Sequence, residues 1–158
     1  MKTLITYYSR TGTNEKMAKI MHDKIGGDLE KIISKTNYGG ILGWLKGGKE
    51  AMKKDKCEIE PVKFNPKDYE LTVIIAPLWA GVIPPPARTY IVQNRENFKE
   101  VAFISVSGSG DGNKNALTDF ETQINKKTAF SLILKAKEIK DGSYEEKLRK
   151  VLNYYFKL

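Results

Sequence analysis

The chain has 158 residues, 41% of them hydrophobic and 29% charged, with a net charge of +8, a length that suits one domain, 1–158, folding without disulfides or metal. One cysteine, Cys57, and one histidine, His22, exclude an internal disulfide and a zinc site built from a single chain. No run reaches the roughly 20 apolar residues of a membrane span, so a cytoplasmic setting is expected, and the positive charge favours an acidic counterpart: nucleic acid, a membrane surface or an acidic protein.

Apolar runs then alternate with amphipathic stretches along the chain. Residues 2–8, KTLITYY, read as a strand, and 14–26 as a helix with Met17, Ile20, Met21 and Ile25 on one face, stopped by Gly26-Gly27. DLEKIIS, 28–34, is a short second strand. A longer connection follows, in which Ile41, Leu45, Ala51 and Met52 suit the inner face of a crossover helix whose other side carries Lys46, Lys49, Lys53, Lys54 and Lys56. The same stretch also reads as a docking surface or a partial cover beside Trp44. LTVIIAP, 71–77, is a β-branched run of the kind buried on both sides of a parallel sheet. Beyond it come a helix over 86–94, a strand VAFISV over 101–106, a helix over 113–126, a strand AFSLILKA over 129–136 and a closing helix over 143–156. The alternation predicts a doubly wound α/β sandwich.

Open parallel sheets bind ligands beyond the carboxyl ends of their strands, which singles out three loops. The first, YYSRTGTN, offers the hydroxyls of Ser9, Thr11 and Thr13, the charge of Arg10, the amide of Asn14 and the slim backbone of Gly12 at a helix N-terminus, a setting for a phosphate. An ordinary helix cap by Thr13 or Asn14 is the plainer alternative. The second loop, after the third strand, holds Pro77, Leu78, Trp79, Ala80 and Gly81; its tryptophan is placed either to stack on a flat ring or to cover the sheet edge. The third, Ser107, Gly108, Ser109, Gly110 and Asp111, has little bulk, so its backbone can approach a flat ligand. Neither GxxxxGK[ST] nor GxGxxG is present, so a phosphomonoester suits the first loop better than a triphosphate or dinucleotide.

Together these loops describe a mononucleotide with a large flat base, and here the chain resembles the flavodoxin-like family over its whole length. YYSRTGTN resembles that family's phosphate loop, APLWAG the loop with an aromatic beside the ring, and SVSGSGDG its glycine-rich third loop. The unbroken AFSLILKA resembles the short-chain branch and related small FMN-dependent oxidoreductases. The resemblance implies a three-layer sandwich with a five-stranded parallel sheet in the order 2-1-3-4-5, and bound FMN. It also implies phosphate ligands among Ser9 to Asn14 and a ring between 77–81 and 107–111. The pair Thr13-Asn14 reverses the usual order, no aromatic follows Asp111, and the net charge is opposite to that typical of the family.

No side chain stands out as acid, base or nucleophile, so no catalytic residue and no metal ligand is expected; the cofactor carries the chemistry. The favoured function is electron transfer between redox partners, with an acidic redox protein or a small acceptor, rather than nucleic acid, on the other side. The alternative is an NAD(P)H-dependent FMN enzyme reducing quinones or other small acceptors. A phospho-acceptor domain is excluded, because Tyr8-Ser9 and Pro77-Leu78 stand where its aspartates belong. Arg88, in a stretch without carboxylates over 77–90, is expected to bring positive charge to the ring and raise its potential.

Overall fold

Five segments pair as parallel strands, β1, β3 and β4 among them rich in β-branched and aromatic residues: β1 (Thr3–Tyr7), β2 (Asp28–Lys31), β3 (Leu71–Ile75), β4 (Glu100–Ser107) and β5 (Ser131–Lys135). The computed structural model describes residues 1–108, 110 and 115–157, and among these the strand order is β2-β1-β3-β4-β5, as expected. Ile5 pairs with Leu29 and Val73, Ile75 with Ile104, and Val106 with Leu134. Every residue of β1 and β3 is buried, because both faces of a parallel sheet are covered by the crossover helices. β5, at the edge, alternates buried and half-buried positions.

Among the described residues there are six α-helices, all but α2 covering the sheet: α1 (Thr13–Ile25), α2 (Gly40–Met52), α3 (Pro85–Asn94), α4 (Ala116–Ile124), α5 (Ala136–Asp141) and α6 (Tyr144–Phe156). On one face Met17, Met21, Ile139, Leu148 and Leu152 of α1, α5 and α6 close over Ile5, Val73 and Ile104. On the other, Tyr90, Ile91 and Phe120 of α3 and α4 close over Ile74 and Phe103, with the Phe103 and Phe120 rings stacked at 4.3 Å and 15°. None of these helices is long and apolar enough to cross a membrane.

Besides α2, three elements depart from expectation. β2 stops at Lys31, and Ser34 makes only an isolated bridge to Ile59. Ala136 begins a helix rather than ending a strand; the Glu138 carboxylate turns back to accept the Lys135 N–H at 2.8 Å and meets Lys147 at 2.7 Å. The start of the expected 113–126 helix lies outside the described residues, and its end comes early because Asn125 adopts φ 54 and caps it.

α2 overturns the expected inner face. Of Ile41, Leu45, Ala51 and Met52 only Ala51 is buried; the inner stripe is Gly43, Gly47 and Ala51, four residues apart. A Cβ on Gly43 would lie 2.4 Å from the Tyr38 carbonyl carbon, and one on Gly47 2.7 Å from Trp79 Cζ3. The helix therefore approaches its neighbours too closely for any bulky inward side chain, and the large apolar residues face out.

Candidate functional site

β1 and β3 are neighbours while their following helices leave on opposite faces, so the chain order reverses between them and opens a crevice at their carboxyl ends. The loop after β1 folds on itself, with Ser9 Oγ accepting the Gly12 N–H at 3.0 Å. Gly12, at φ 93, is the N-cap of α1, and no side chain caps the helix. The plain capping role for Thr13 or Asn14 is thereby removed, since both already lie inside the helix. The first intrahelical bond runs from Lys16 N to Gly12 O at 2.9 Å, so the N–H groups of Thr13, Asn14 and Glu15 precede the ladder and have no acceptor within it. An uncapped N-terminus beside the Thr11 and Thr13 side chains attracts an anion, while Ser9 lines a neighbouring cavity with Lys31 and Tyr38.

The Asn14 side chain does something other than face a phosphate. It is 3% exposed, donates from Nδ2 to Val106 O at 2.8 Å and accepts the Val106 N–H at Oδ1 at 3.0 Å. β3 ends at Ile75, paired with Ile104, so Asn14 replaces the missing strand beside Val106. What it offers a ligand is its backbone N–H.

After β3, Trp79 and Val82 exchange backbone hydrogen bonds of 2.9 and 3.1 Å around Ala80 (φ 50) and Gly81 (φ 78), a turn with both central residues at positive φ. This turn fixes Trp79, which is half-buried. Tyr8 meets it edge-on at 5.7 Å and Tyr38 at 5.0 Å, and Gly47 of α2 lies against its six-membered ring. The indole is anchored in packing on one side and lines cavities on the other. Burial at the same place pushes the Tyr8 phenol up to about 12.

In the third loop Ser107 Oγ accepts the Gly110 N–H at 3.1 Å, Gly108 is exposed, and Gly110 at φ 60 packs on the Lys135 side chain. Ser109 and Asp111 of the expected site lie outside the described residues.

These pieces enclose two adjoining cavities. One of about 180 Å³ is lined by Arg10, Thr11, Thr13, Asn14, Ser107 and Trp79. The other, about 520 Å³, is lined by Trp44, Leu45, Met52, Trp79, Ala80 and Gly81; both touch Leu78 and Gly108. A small compartment with polar groups at an uncapped helix end, adjoining a wider apolar one, fits a phosphorylated flat ring. A larger cavity of about 620 Å³, at the far end of α1 between Lys24 and Arg149, shares none of these residues.

Arg88 does not bring free charge to this crevice. It is buried and paired with Asp119 (Nη2–Oδ2 2.8 Å, Nη1–Oδ1 3.3 Å), and it donates to Ile83 O at 3.2 Å. Residues that sequence reading missed at the site are Tyr8 and Tyr38, which hold Trp79, and Leu45 and Met52 as cavity walls. The signal for the whole arrangement was the spacing Gly43, Gly47, Ala51, which marks a close helix approach.

Comparison with known proteins agrees with this architecture. No curated protein matches the chain. A flavoprotein of Lactobacillus acidophilus NCFM, crystallised in complex with FMN, is 24% identical with a TM-score of 0.72, over 90% of this chain and 98% of that one. A candidate flavoprotein of Bacteroides eggerthii DSM 20697 is 26% identical with a TM-score of 0.72, over 89% and 94%, and one of Bacteroides uniformis ATCC 8492 is 23% identical with a TM-score of 0.69, over 85% and 88%. The flavodoxin family model matches residues 2–153, and with that extent on a sheet in the order 2-1-3-4-5 the chain belongs to the flavodoxin family.

Proposed function

We propose that this flavodoxin-family chain binds FMN in the crevice between β1 and β3 and carries electrons between redox partners. The observation that carries this reading is the uncapped N-terminus of α1, opening into a small compartment with polar groups that adjoins an apolar one beside Trp79. A relative of the same fold was crystallised with FMN. The phosphate would be held by the hydroxyls of Ser9, Thr11 and Thr13 and the free N–H groups at the start of α1, with Arg10 at the mouth. Leu78, Trp79, Ala80, Gly81, Ser107 and Gly108 would flank the ring. When bound, FMN supplies one- and two-electron redox chemistry. The chain's own residues bind and orient it, and Trp79, braced by Tyr8 and Tyr38, excludes water from one side. The net +8 favours an acidic partner, and we place the protein in the cytoplasm.

Titration of the apoprotein with FMN and with riboflavin tests the site. FMN is expected to bind far more tightly; equal affinities would remove the phosphate role of Ser9 to Asn14.

One observation favours a second reading, an NAD(P)H-dependent reductase of quinones or other small acceptors. No aromatic follows Asp111 in the third loop, which leaves the second face of a bound ring open to a substrate. Steady-state oxidation of NADH and NADPH separates the two, since turnover with a quinone and no protein partner belongs only to the reductase.

A further inference from the structure

We infer that α2 is a docking surface for an anionic lipid bilayer, on which the chain lies peripherally. Five of the eight large apolar side chains exposed among the described residues sit on this one helix: Ile41, Leu42, Trp44, Leu45 and Met52. Leu42 is 83% exposed and Ile41 78%. Rotation of the helix cannot hide them, because an inward side chain would meet the Tyr38 backbone and the Trp79 ring that now touch Gly43 and Gly47. While the helix is formed, they face out.

At 3.6 residues per turn, Ile41, Trp44, Leu45 and Met52 form one outward stripe, and Lys46, Lys49 and Lys53 form the next, with Leu42 among them. Lys54, which lies 3.5 Å from Asp119, and Lys56 follow. Against these five lysines, residues 46–56 contain two carboxylates, Glu50 and Asp55. Glu50 is already engaged, accepting the Tyr38 hydroxyl at 2.6 Å and lying 3.7 Å from Lys46.

Charge decides what covers the face. A second copy would set the lysines against their own image in a chain already at +8, which opposes self-association. Protein interfaces favour arginine and tyrosine and are depleted in lysine, whereas every cation of this segment is lysine, beside Ile41 and Leu42, which protrude outside any cavity described above. A row of Ile, Leu, Trp and Met flanked by lysines is the pattern of a helix that lies in the headgroup layer of an anionic bilayer. The apolar cavity lined by Trp44, Leu45 and Met52 borders the same helix. If FMN occupies it, as proposed above, a lipid-soluble acceptor would meet the ring from the membrane side; the docking itself does not rest on that reading.

Cosedimentation of the holoprotein with phosphatidylglycerol-containing vesicles and with pure phosphatidylcholine vesicles tests this. Binding is expected to the anionic vesicles alone and to weaken with salt. Lys46→Glu/Lys53→Glu is expected to lower partitioning about twentyfold or more, at about fivefold per lysine lost, and Ile41→Glu/Leu42→Glu to abolish it, with thermal midpoint and flavin absorbance retained in both. Absence of binding to anionic vesicles overturns the inference, as does binding unaffected by Ile41→Glu/Leu42→Glu. A dimer or an acidic-protein complex abolished by that variant, without vesicle binding, would assign the face to protein instead. Pelleting is scored on the polypeptide, so failure here is distinct from failure of FMN binding.

Discussion

Asn14 and Val106, 92 positions apart, exchange two hydrogen bonds of 2.8 and 3.0 Å and so tie the start of α1 to the end of β4. Asn14→Ala would strip both partners from Val106. With an unmet buried group costing about 1–3 kcal/mol, a loss of at least about 2 kcal/mol is expected. Asn14→Asp keeps the acceptor but turns an anion toward the Val106 carbonyl and the N-terminus of α1, so FMN affinity should fall as well. Urea midpoints and FMN titration check both; an unaltered midpoint for the alanine variant would contradict the clamp.

Two adjacent glycines of α2 should respond with opposite signs. A Cβ at Gly48 meets nothing within 4 Å, so Gly48→Ala should stabilise by about 0.5–1 kcal/mol through lost unfolded-state entropy. Gly47→Ala would press a methyl 2.7 Å from Trp79 Cζ3; a loss of about 1–3 kcal/mol is expected, together with weaker FMN binding as the indole shifts. Thermal unfolding of the pair decides it.

Asp119 accepts from Arg88 and from the Ile83 N–H at 3.2 Å and lies 3.5 Å from Lys54, joining the loop after β3 to α4 and to the residues beyond α2. Asp119→Ala would leave the Arg88 guanidinium buried without its carboxylate, at about 3–5 kcal/mol. Replacing both members by apolar residues should recover much of that loss, and a double-mutant cycle in urea measures how much.

Alkaline pH should destabilise the fold through two buried tyrosines. Burial pushes Tyr8 up to about 12, and burial with a 2.7 Å hydrogen bond to the Asp28 carboxylate does the same for Tyr69. Above the ordinary value of 10 the unfolded chain loses these protons while the folded chain keeps them, so stability is full below 10 and declines as pH rises through about 12. Tyr8→Phe and Tyr69→Phe should flatten that decline in urea midpoints taken across the range.

The strands at 71–75 and 100–107 were legible because unbroken β-branched runs suit a sheet covered on both sides, and the alternation with helices set the fold class. AFSLILKA misled at its end: Ala136 continues the apolar run, and the turn into α5 is made by Glu138 reaching back to the Lys135 N–H, which leaves no pattern in hydropathy. The hydroxyls of the first loop were visible in sequence. The engagement of Asn14 was not, since its partner is set by the packing of α1 on β4. Arg88 looked like free charge because Asp119 lies 31 positions away. In α2 the hydrophobic period identified a helix but inverted its faces, and the glycine spacing was the better guide.

That spacing carries a consequence for motion. α2 holds four glycines in 13 residues, of which Gly43, Gly47 and Gly48 lie inside it, each about 1 kcal/mol less favourable there than alanine, and it buries little beyond Gly43, Gly47 and Ala51. It should therefore open locally at far lower free energy than the sheet. Amide hydrogen exchange is expected to be fast across 41–52 and slow across β3, with the gap narrowing when FMN is added. The wall of the apolar compartment is then also its door, and the residence time of whatever sits against Trp79 is set by how often that helix unwinds.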